Sequence, residues 1–407
     1  MFIQIYLTSL LRALSLALEL TSGGLSRHHW RTAMIATRIA DHIVLPASQR
    51  QTLMYAALLH DIGAAANWEE KNNLFTRKPV DNLYIHAAAG YDLLKNSPLF
   101  RLLAKPILHH HDRWDGSSPS GLAGGDIPVL GRIINLADSL EVQLADDKFV
   151  LDQRETILDS LTARSGSQFD PDLVGALEEL ACQECFWLDL ANPLYYENFF
   201  RDLSGSGQIR LSIDDVIGVA QIFATIVDRT SQYTARHSRS VAAVAAYLAE
   251  AKGYSRAEIN LMRIAGLLHD LGKLAVPNSI LEKPGKLTAG EFTLIKQHPY
   301  YSHRILSQID GFEIIADWAA YHHETLDGQG YPFRIAKENL RLGSRIVAVA
   351  DVYTALIESR PYRQSLTAGQ VEKIMGDMVG ANRIDGDIVG ELFAGRSQLE
   401  KVLAAVV

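Results

Sequence analysis

Apolar residues recur every three or four positions along most of the chain, as in "VAAVAAYLAEA" (241–251) and "IVAVADVYTALI" (346–357). That spacing predicts amphipathic and buried helices, and strand-like alternation is scarce. Turn-forming clusters stand where such helices should stop: "GSSPSGLAGGD" (116–126), "EKPGKLTAG" (282–290) and "DGQGYP" (327–332). Thr288, three residues before Glu291, predicts a capping box and a helix start. The opening "MFIQIYLTSLLRALSLALEL" is apolar enough to raise a membrane span, but Arg12 and Glu19 interrupt it, and no basic leader or small-residue cleavage site accompanies it. A similar apolar stretch, "VIGVAQIFATIV" (216–227), precedes the second half's motifs in the same place. Both are expected to be packed core helices, with no membrane contact. The fold class expected is all-α.

The helical pattern is written twice. "LLHDIGA" (58–64) returns as "LLHDLGK" (267–273), and the match runs well beyond these heptapeptides. "HWRTAMIATRIA" from His29 pairs with "HSRSVAAVAAYLA" from His237, and "HAAAGYDLL" from His86 with "HPYYSHRIL" from His298. "HHDRWDG" from His110 pairs with "HHETLDG" from His322, "GRIINLADSLE" with "SRIVAVADVYT", and "FDPDLVGAL" with "IDGDIVGEL". The separation drifts only from 208 to 215 residues, as loop insertions between matched elements would produce. The reading is two tandem helical domains related by divergent internal duplication: residues 1–200, a glycine- and serine-rich linker "RDLSGSGQIR" (201–210), and residues 211–407.

Composition narrows the function. The 407 residues carry 39 basic and 47 acidic side chains, a net charge of −8. That balance argues against broad binding to DNA or anionic membranes, so an anionic substrate needs a locally positive site. The two cysteines, Cys182 and Cys185, have no second pair to complete a four-ligand zinc site, and are expected to be ordinary thiols of a cytoplasmic protein.

Ten of the 14 histidines fall on the repeated landmarks; His28, His42, His109 and His303 are left over. Imidazoles and carboxylates without thiolates suit iron, manganese, cobalt or nickel, and zinc in a catalytic site. His269 and Asp270 are neighbours on one helix, so their side chains diverge by about 100°, and Asp270 is placed to bridge two metals. His237, His269 and Asp351 would complete one site, with His298, His322 and His323 completing the other. Two metals about 3.5–4 Å apart can activate water and stabilise both oxygens of a phosphoester displacement. Lys273 lies three residues from Asp270 and four from His269, on the same face. A cation so close to metal ions is expected to hold a substrate phosphate or support the leaving oxygen.

Residues 233–363 resemble the HD superfamily of metal-dependent phosphohydrolases, and in particular its HD-GYP branch. The resemblance is carried by "YTARHSRSVA", "LLHDLGKLAVPNSILEKPGKLT", "HPYYSHRIL", "HHETLDGQGYP", "RIVAVADVY" and "SRPYR". It implies an all-helical domain whose centre hydrolyses 3′,5′-cyclic dinucleotides, usually cyclic di-GMP to linear pGpG and sometimes GMP, and in a minority of members 3′,3′-cyclic GMP-AMP. By position it implies the metal ligands His237, His269, Asp270, His298, His322, His323 and Asp351, with Asp270 and Lys273 catalytic. Lys273, Gly330, Tyr331, Pro332, Arg360 and Arg363 would contact the substrate. Tyr233 stands where three-metal members carry a glutamate, so two metals are expected, iron or manganese. Thr354 and "PFRIAKENL" depart from the branch's pattern and leave the substrate choice open.

The first half keeps His29, His60, Asp61, His86, His110, His111 and Asp138, a second candidate metal site. It has Ala64 in place of the lysine, "DGSSPS" in place of GYP, and an acidic segment where the arginines would stand. A regulatory or dimer-forming role is therefore expected of it. The competing readings are a mononucleotide phosphohydrolase and a non-catalytic signalling scaffold that binds a cyclic dinucleotide or a protein partner. A homodimer is also open.

Overall fold

Helix starts follow the local sequence. Ser212, Ser255 and Thr288 each cap a helix by reciprocal bonds with Asp215, Glu258 and Glu291 three residues on, which satisfies amides that a helix N-terminus otherwise leaves unpaired. A computed structural model describes residues 5–21, 24–25, 27–75, 82–192, 195–196, 198–199, 209–231, 236–358 and 365–406. Tyr233, Arg360 and Arg363 lie outside the described residues, as do 201–208 of the expected linker.

The first half contains α1 (Leu7–Leu18), α2 (His28–His42), α3 (Ala47–Leu58), α4 (Trp68–Phe75), α5 (Tyr84–Leu94), α6 (Arg101–Leu108), α7 (Val129–Glu141), α8 (Val150–Thr162), α9 (Pro171–Ala181) and α10 (Glu184–Ala191). The second half contains α11 (Ile213–Asp228), α12 (His237–Ala251), α13 (Arg256–Leu268), α14 (Asn278–Leu281), α15 (Ala289–Lys296), α16 (His298–Leu306), α17 (Glu313–Ala320), α18 (Leu342–Ile357), α19 (Ala368–Gly380), α20 (Gly386–Ala394) and α21 (Arg396–Ala404). Among the described residues the only strands are the two-residue pair β1 (Leu20–Thr21) and β2 (Gly24–Leu25). The protein is all-α, as its periodicity predicts.

The same scaffold recurs in both halves. A central helix, α2 or α12, packs against α3 and α7, or against α13 and α18. Val241, Val244, Leu248, Ile264, Ile346 and Val349 form the inner layer of the second copy, each essentially inaccessible to water. Each such buried side chain contributes about 1.5–3 kcal/mol relative to exposure. Helices α12 and α13 approach closely because Gly266 lies against Ala242, where an added Cβ would come within 2.6 Å of its Cα. A second pair, α5–α6 or α16–α17, closes over the open side of these three helices.

The apolar α1 is a core helix, with Leu10, Leu11, Leu14 and Ala17 buried. It packs on α2 and α3 and also crosses to α16 and the 3₁₀ turn Leu271–Ala275 of the other half. The halves are further joined where Leu7 N–H donates to the Ile209 carbonyl (3.0 Å) and Leu211 N–H to that of Ile5 (2.9 Å). Among the described residues, no helix is long and apolar enough to cross a membrane.

Candidate metal centre

Three of the key histidines stand near helix ends, where Nδ1 reaches the carbonyl three residues back. His269 Nδ1 meets Gly266 O at 2.8 Å, His298 meets Ile295 O at 2.7 Å, and His322 meets Ala319 O at 2.7 Å. A carbonyl only accepts, so Nδ1 carries the proton and the Nε2 lone pair faces inward. His237 is oriented by a carboxylate instead, Glu358 at 2.9 Å from its Nδ1. Such partners fix the tautomer and aim of metal-binding imidazoles.

The inward atoms form two groups sharing one carboxylate. His237, His269 and Asp351 converge on one side, and His298, His322 and His323 on the other, with the ligand atoms of each group within 4.8 Å of one another. Asp270 stands between them. Its Oδ2 lies 3.2 Å from His269 Nε2 and 3.8 Å from His237 Nε2; its Oδ1 lies 3.3 Å from His298 Nε2 and 3.9 Å from His322 Nε2. The structure thus brings together the seven side chains singled out by the sequence and directs one Asp270 oxygen to each group. The local backbone differs from the expected single helix: α13 ends at Leu268, and the chain continues from Asp270 as the turn Leu271–Ala275. Gly272 makes that turn possible by lying against the His298 carbonyl, 2.0 Å from where a Cβ would stand.

Divalent metals fit this arrangement. His269 Nε2 and Asp270 Oδ1 are buried and make no hydrogen bond. His298 Nε2 and His322 Nε2 face each other at 3.3 Å, although both rings carry their proton on Nδ1. Two opposed lone pairs in a buried site call for a cation between them. Burial holds the His298, His322 and His323 imidazoles below their ordinary range, His323 at about 3, so all three are neutral ligands at physiological pH. Burial would raise the Asp270 carboxyl, but His269 and Lys273 outweigh it and hold it well below the usual range.

Lys273 Nζ pairs with Asp270 Oδ2, its side chain partly open to solvent. The Gly330–Tyr331–Pro332 loop lies beside the second group, with the Tyr331 ring 4.8 Å from that of His323. Gly330 permits this approach, because a Cβ there would fall 2.5 Å from Glu324 Cα. Burial, with Asp351 and Asp270 nearby, pushes the Tyr331 phenol up, so its proton is retained. Glu324, absent from the sequence-based set, anchors the segment that follows the loop. Its carboxylate accepts from the amides of Phe333 (2.7 Å), Arg334 (3.2 Å) and Ile335 (2.9 Å).

The first half builds a parallel centre with one correction. His28, not His29, is the counterpart of His237. It opens α2 as His237 opens α12, its Nε2 lies 3.4 Å from Asp138, and its Nδ1 meets Glu141 at 2.5 Å. The ungapped register shared with His60 and His269 selects His28; the adjacent histidines obscured it. His29 remains in the cluster, 4.0 Å from Asp61 and 3.3 Å from Glu19. The potential ligand atoms form two groups, His28–His29–His60–Asp61 and Asp61–His86–His110–His111. Asp61 Oδ2 faces His28 and His60, and Oδ1 faces His86 and His110, as Asp270 does in its own half. Ala64 is fully buried where Lys273 reaches the other centre.

The HD domain pattern matches residues 12–173 and, a second time, residues 221–388. The chain belongs to the HD domain family. Its two HD copies carry the two centres just described. The 3′,3′-cGAMP-specific phosphodiesterase 1 of Vibrio cholerae serotype O1 is 30% identical over 368 residues, 89% of this chain and 85% of that protein. The cyclic di-GMP phosphodiesterase response regulator RpfG of Xanthomonas campestris pv. campestris is 40% identical over 161 residues, 39% of this chain and 42% of RpfG. The crystal structure of a cyclic GMP-AMP-specific phosphodiesterase of V. cholerae, V-cGAP3, superposes with a TM-score of 0.68 at 26% identity and covers 99% of both chains. This HD protein therefore shares its two-copy architecture with that enzyme.

Proposed function

We propose that this HD protein is a metal-dependent phosphodiesterase that opens 3′,5′-linked cyclic dinucleotides at the centre in residues 211–407. The observation that carries the reading is the Asp270 carboxylate, with one oxygen directed to each of two imidazole groups and Lys273 at its edge. Two divalent metals, iron or manganese, would be held by His237, His269 and Asp351 and by His298, His322 and His323, with Asp270 shared. When bound, they supply Lewis acidity and an activated water for phosphodiester displacement.

The chain's own groups do the rest. Lys273 supplies the positive charge that an acidic protein needs beside a phosphate, and is placed to hold a non-bridging oxygen. Tyr331, kept protonated, is a donor beside His323. Arg360 and Arg363, which the resemblance sets against the dinucleotide, would supply forked guanidinium contacts that suit a phosphodiester. Residues 1–200 serve as a regulatory or dimer-forming domain with a metal centre of its own. Both cysteines are free thiols, consistent with a cytoplasmic protein.

The substrate proposed from the sequence is cyclic di-GMP, opened to pGpG. One observation favours 3′,3′-cyclic GMP-AMP: two proteins similar to nearly the whole of this chain, the phosphodiesterase 1 and V-cGAP3 of V. cholerae, are named for it. Each compound is to be offered separately to iron- or manganese-loaded protein, with products resolved by mass. A kcat/KM ratio of about tenfold, equivalent to ~1.4 kcal/mol, assigns the preference. No product from either would remove the reading.

A further inference from the structure

Adjacent residues of α4 reach the N-terminal centre and the turn of the other half that carries Lys273. Glu70 Oε1 lies 3.2 Å from His86 Nδ1, and His86 Nε2 lies 3.1 Å from Asp61 Oδ1 in the N-terminal centre. Lys71, the next residue, points into the other half. Its Nζ donates to the carbonyl of Leu274, the residue after Lys273, and the side chain is 1% exposed. Lysine is seldom buried so completely without a carboxylate. Here burial pushes the amine down to about 7.

The turn that Lys71 grips is the one that aims Lys273. On one side Ser302 Oγ accepts from Gly272 N–H (2.9 Å) and donates to the His269 carbonyl (3.0 Å), tying the turn to the ligand helices. On the other side the protein supplies Lys71. The same seam is closed by Asn278 Nδ2, which donates to the carbonyls of Ala66 (3.2 Å) and Thr230 (2.9 Å). Ala66 lies just before α4, so the cross-half contacts converge on a short stretch around Lys273.

Resting on the phosphodiesterase reading, we infer that Lys71 is a positioning residue of the C-terminal site. It holds the 271–275 turn so that Lys273 stays beside Asp270, and through Glu70 the helix α4 ties that turn to the His86 side of the N-terminal centre. A catalytic lysine that must move between a carboxylate and a phosphate gains from a backbone fixed at both ends.

The test uses full-length metal-loaded protein with Lys71→Met alone and combined with Lys273→Ala. Lys71→Met is expected to lower kcat about tenfold, the effect of losing one buried hydrogen bond at a working position. In the Lys273→Ala background it should change kcat by less than about twofold, because its action runs through Lys273. Amide exchange at residues 271–276 is expected to accelerate in Lys71→Met while exchange in α12 and α18 is unchanged. Equal losses in both backgrounds, or unchanged exchange at 271–276, would overturn the inference. If Lys71→Met does not fold, Lys71→Gln is judged by the same two readouts. Wild-type protein inactive on cyclic dinucleotides would remove the phosphodiesterase reading, and the exchange measurement would still decide whether Lys71 holds the turn.

Discussion

Replacing Gly272 with alanine tests how tightly the metal-binding geometry depends on one backbone approach. An alanine Cβ would stand 2.0 Å from the His298 carbonyl oxygen and 2.8 Å from its carbon. An ordinary carbon–oxygen contact is about 3.3 Å, so the turn and the start of α16 must separate by about 1.3 Å. Metal–ligand distances tolerate only about ±0.2 Å. The displaced pair is Asp270 and His298, now 3.3 Å apart, the join between the two ligand groups. The Gly272 amide would also leave Ser302. Overpacking of this kind costs about 1–3 kcal/mol of stability. The expected result is a folded protein with a lower Tm, about one metal fewer in the C-terminal centre by elemental analysis, and phosphodiesterase turnover lost. Gly63→Ala meets the His86 carbonyl at the same 2.0 Å and should deplete only the N-terminal centre. Full metal content with wild-type turnover in Gly272→Ala would refute the reasoning.

Further outcomes follow from the same geometry. Ala64→Lys places a long cation at a fully buried position, so it should lower Tm and confer no cyclic dinucleotide hydrolysis on the first half, checked in an Asp270→Ala background. Glu324→Ala removes the acceptor of three amides behind the GYP loop and should cost ~3 kcal/mol in denaturant unfolding; it should also raise KM. The two centres should differ in their pH dependence. Burial would lower His60 and His86, but Asp61, joined by Asp138 at His60 and by Glu70 at His86, outweighs it and lifts both to about 9. A protonated imidazole cannot ligate, so metal binding at the N-terminal centre must expel protons below pH 9 and weakens as pH falls. His298, the counterpart of His86, is instead held below its ordinary range by burial and needs no such exchange. Metal titrations of Asp270→Ala and Asp61→Ala between pH 6 and 9 should show steep dependence in the first and a shallower one in the second; parallel curves would contradict the difference.

The repeated landmarks made much of the architecture legible, because ligand histidines must occupy helix ends in a fixed order and duplication wrote that order twice. The GYP loop has no counterpart in the first half, which reads "DGSSPS" there, and was legible only through the resemblance to the HD-GYP branch. His28 was obscured by its neighbour His29, and only the conserved spacing to His60 separates them. Glu358 and Glu141 were hidden because a carboxylate that orients an imidazole has no fixed spacing from it: they stand 121 and 113 residues from His237 and His28. The burial of α1 followed from its apolar pattern, but a pattern names no partner, and its contact with the other half's 271–275 turn required the fold. Lys71 reads in the sequence as one more surface charge; only the meeting of the two halves buries it.

The central claim is that Asp270 joins two metal sites into one hydrolytic centre. It is tested most directly by measuring bound metal and cyclic dinucleotide turnover together in wild type and Asp270→Ala, with circular dichroism confirming the fold. Wild type is expected to give a linear dinucleotide product, and the variant reduced metal content and turnover lower by at least about a thousandfold, ~4 kcal/mol of transition-state stabilisation. Turnover preserved in folded Asp270→Ala would contradict it.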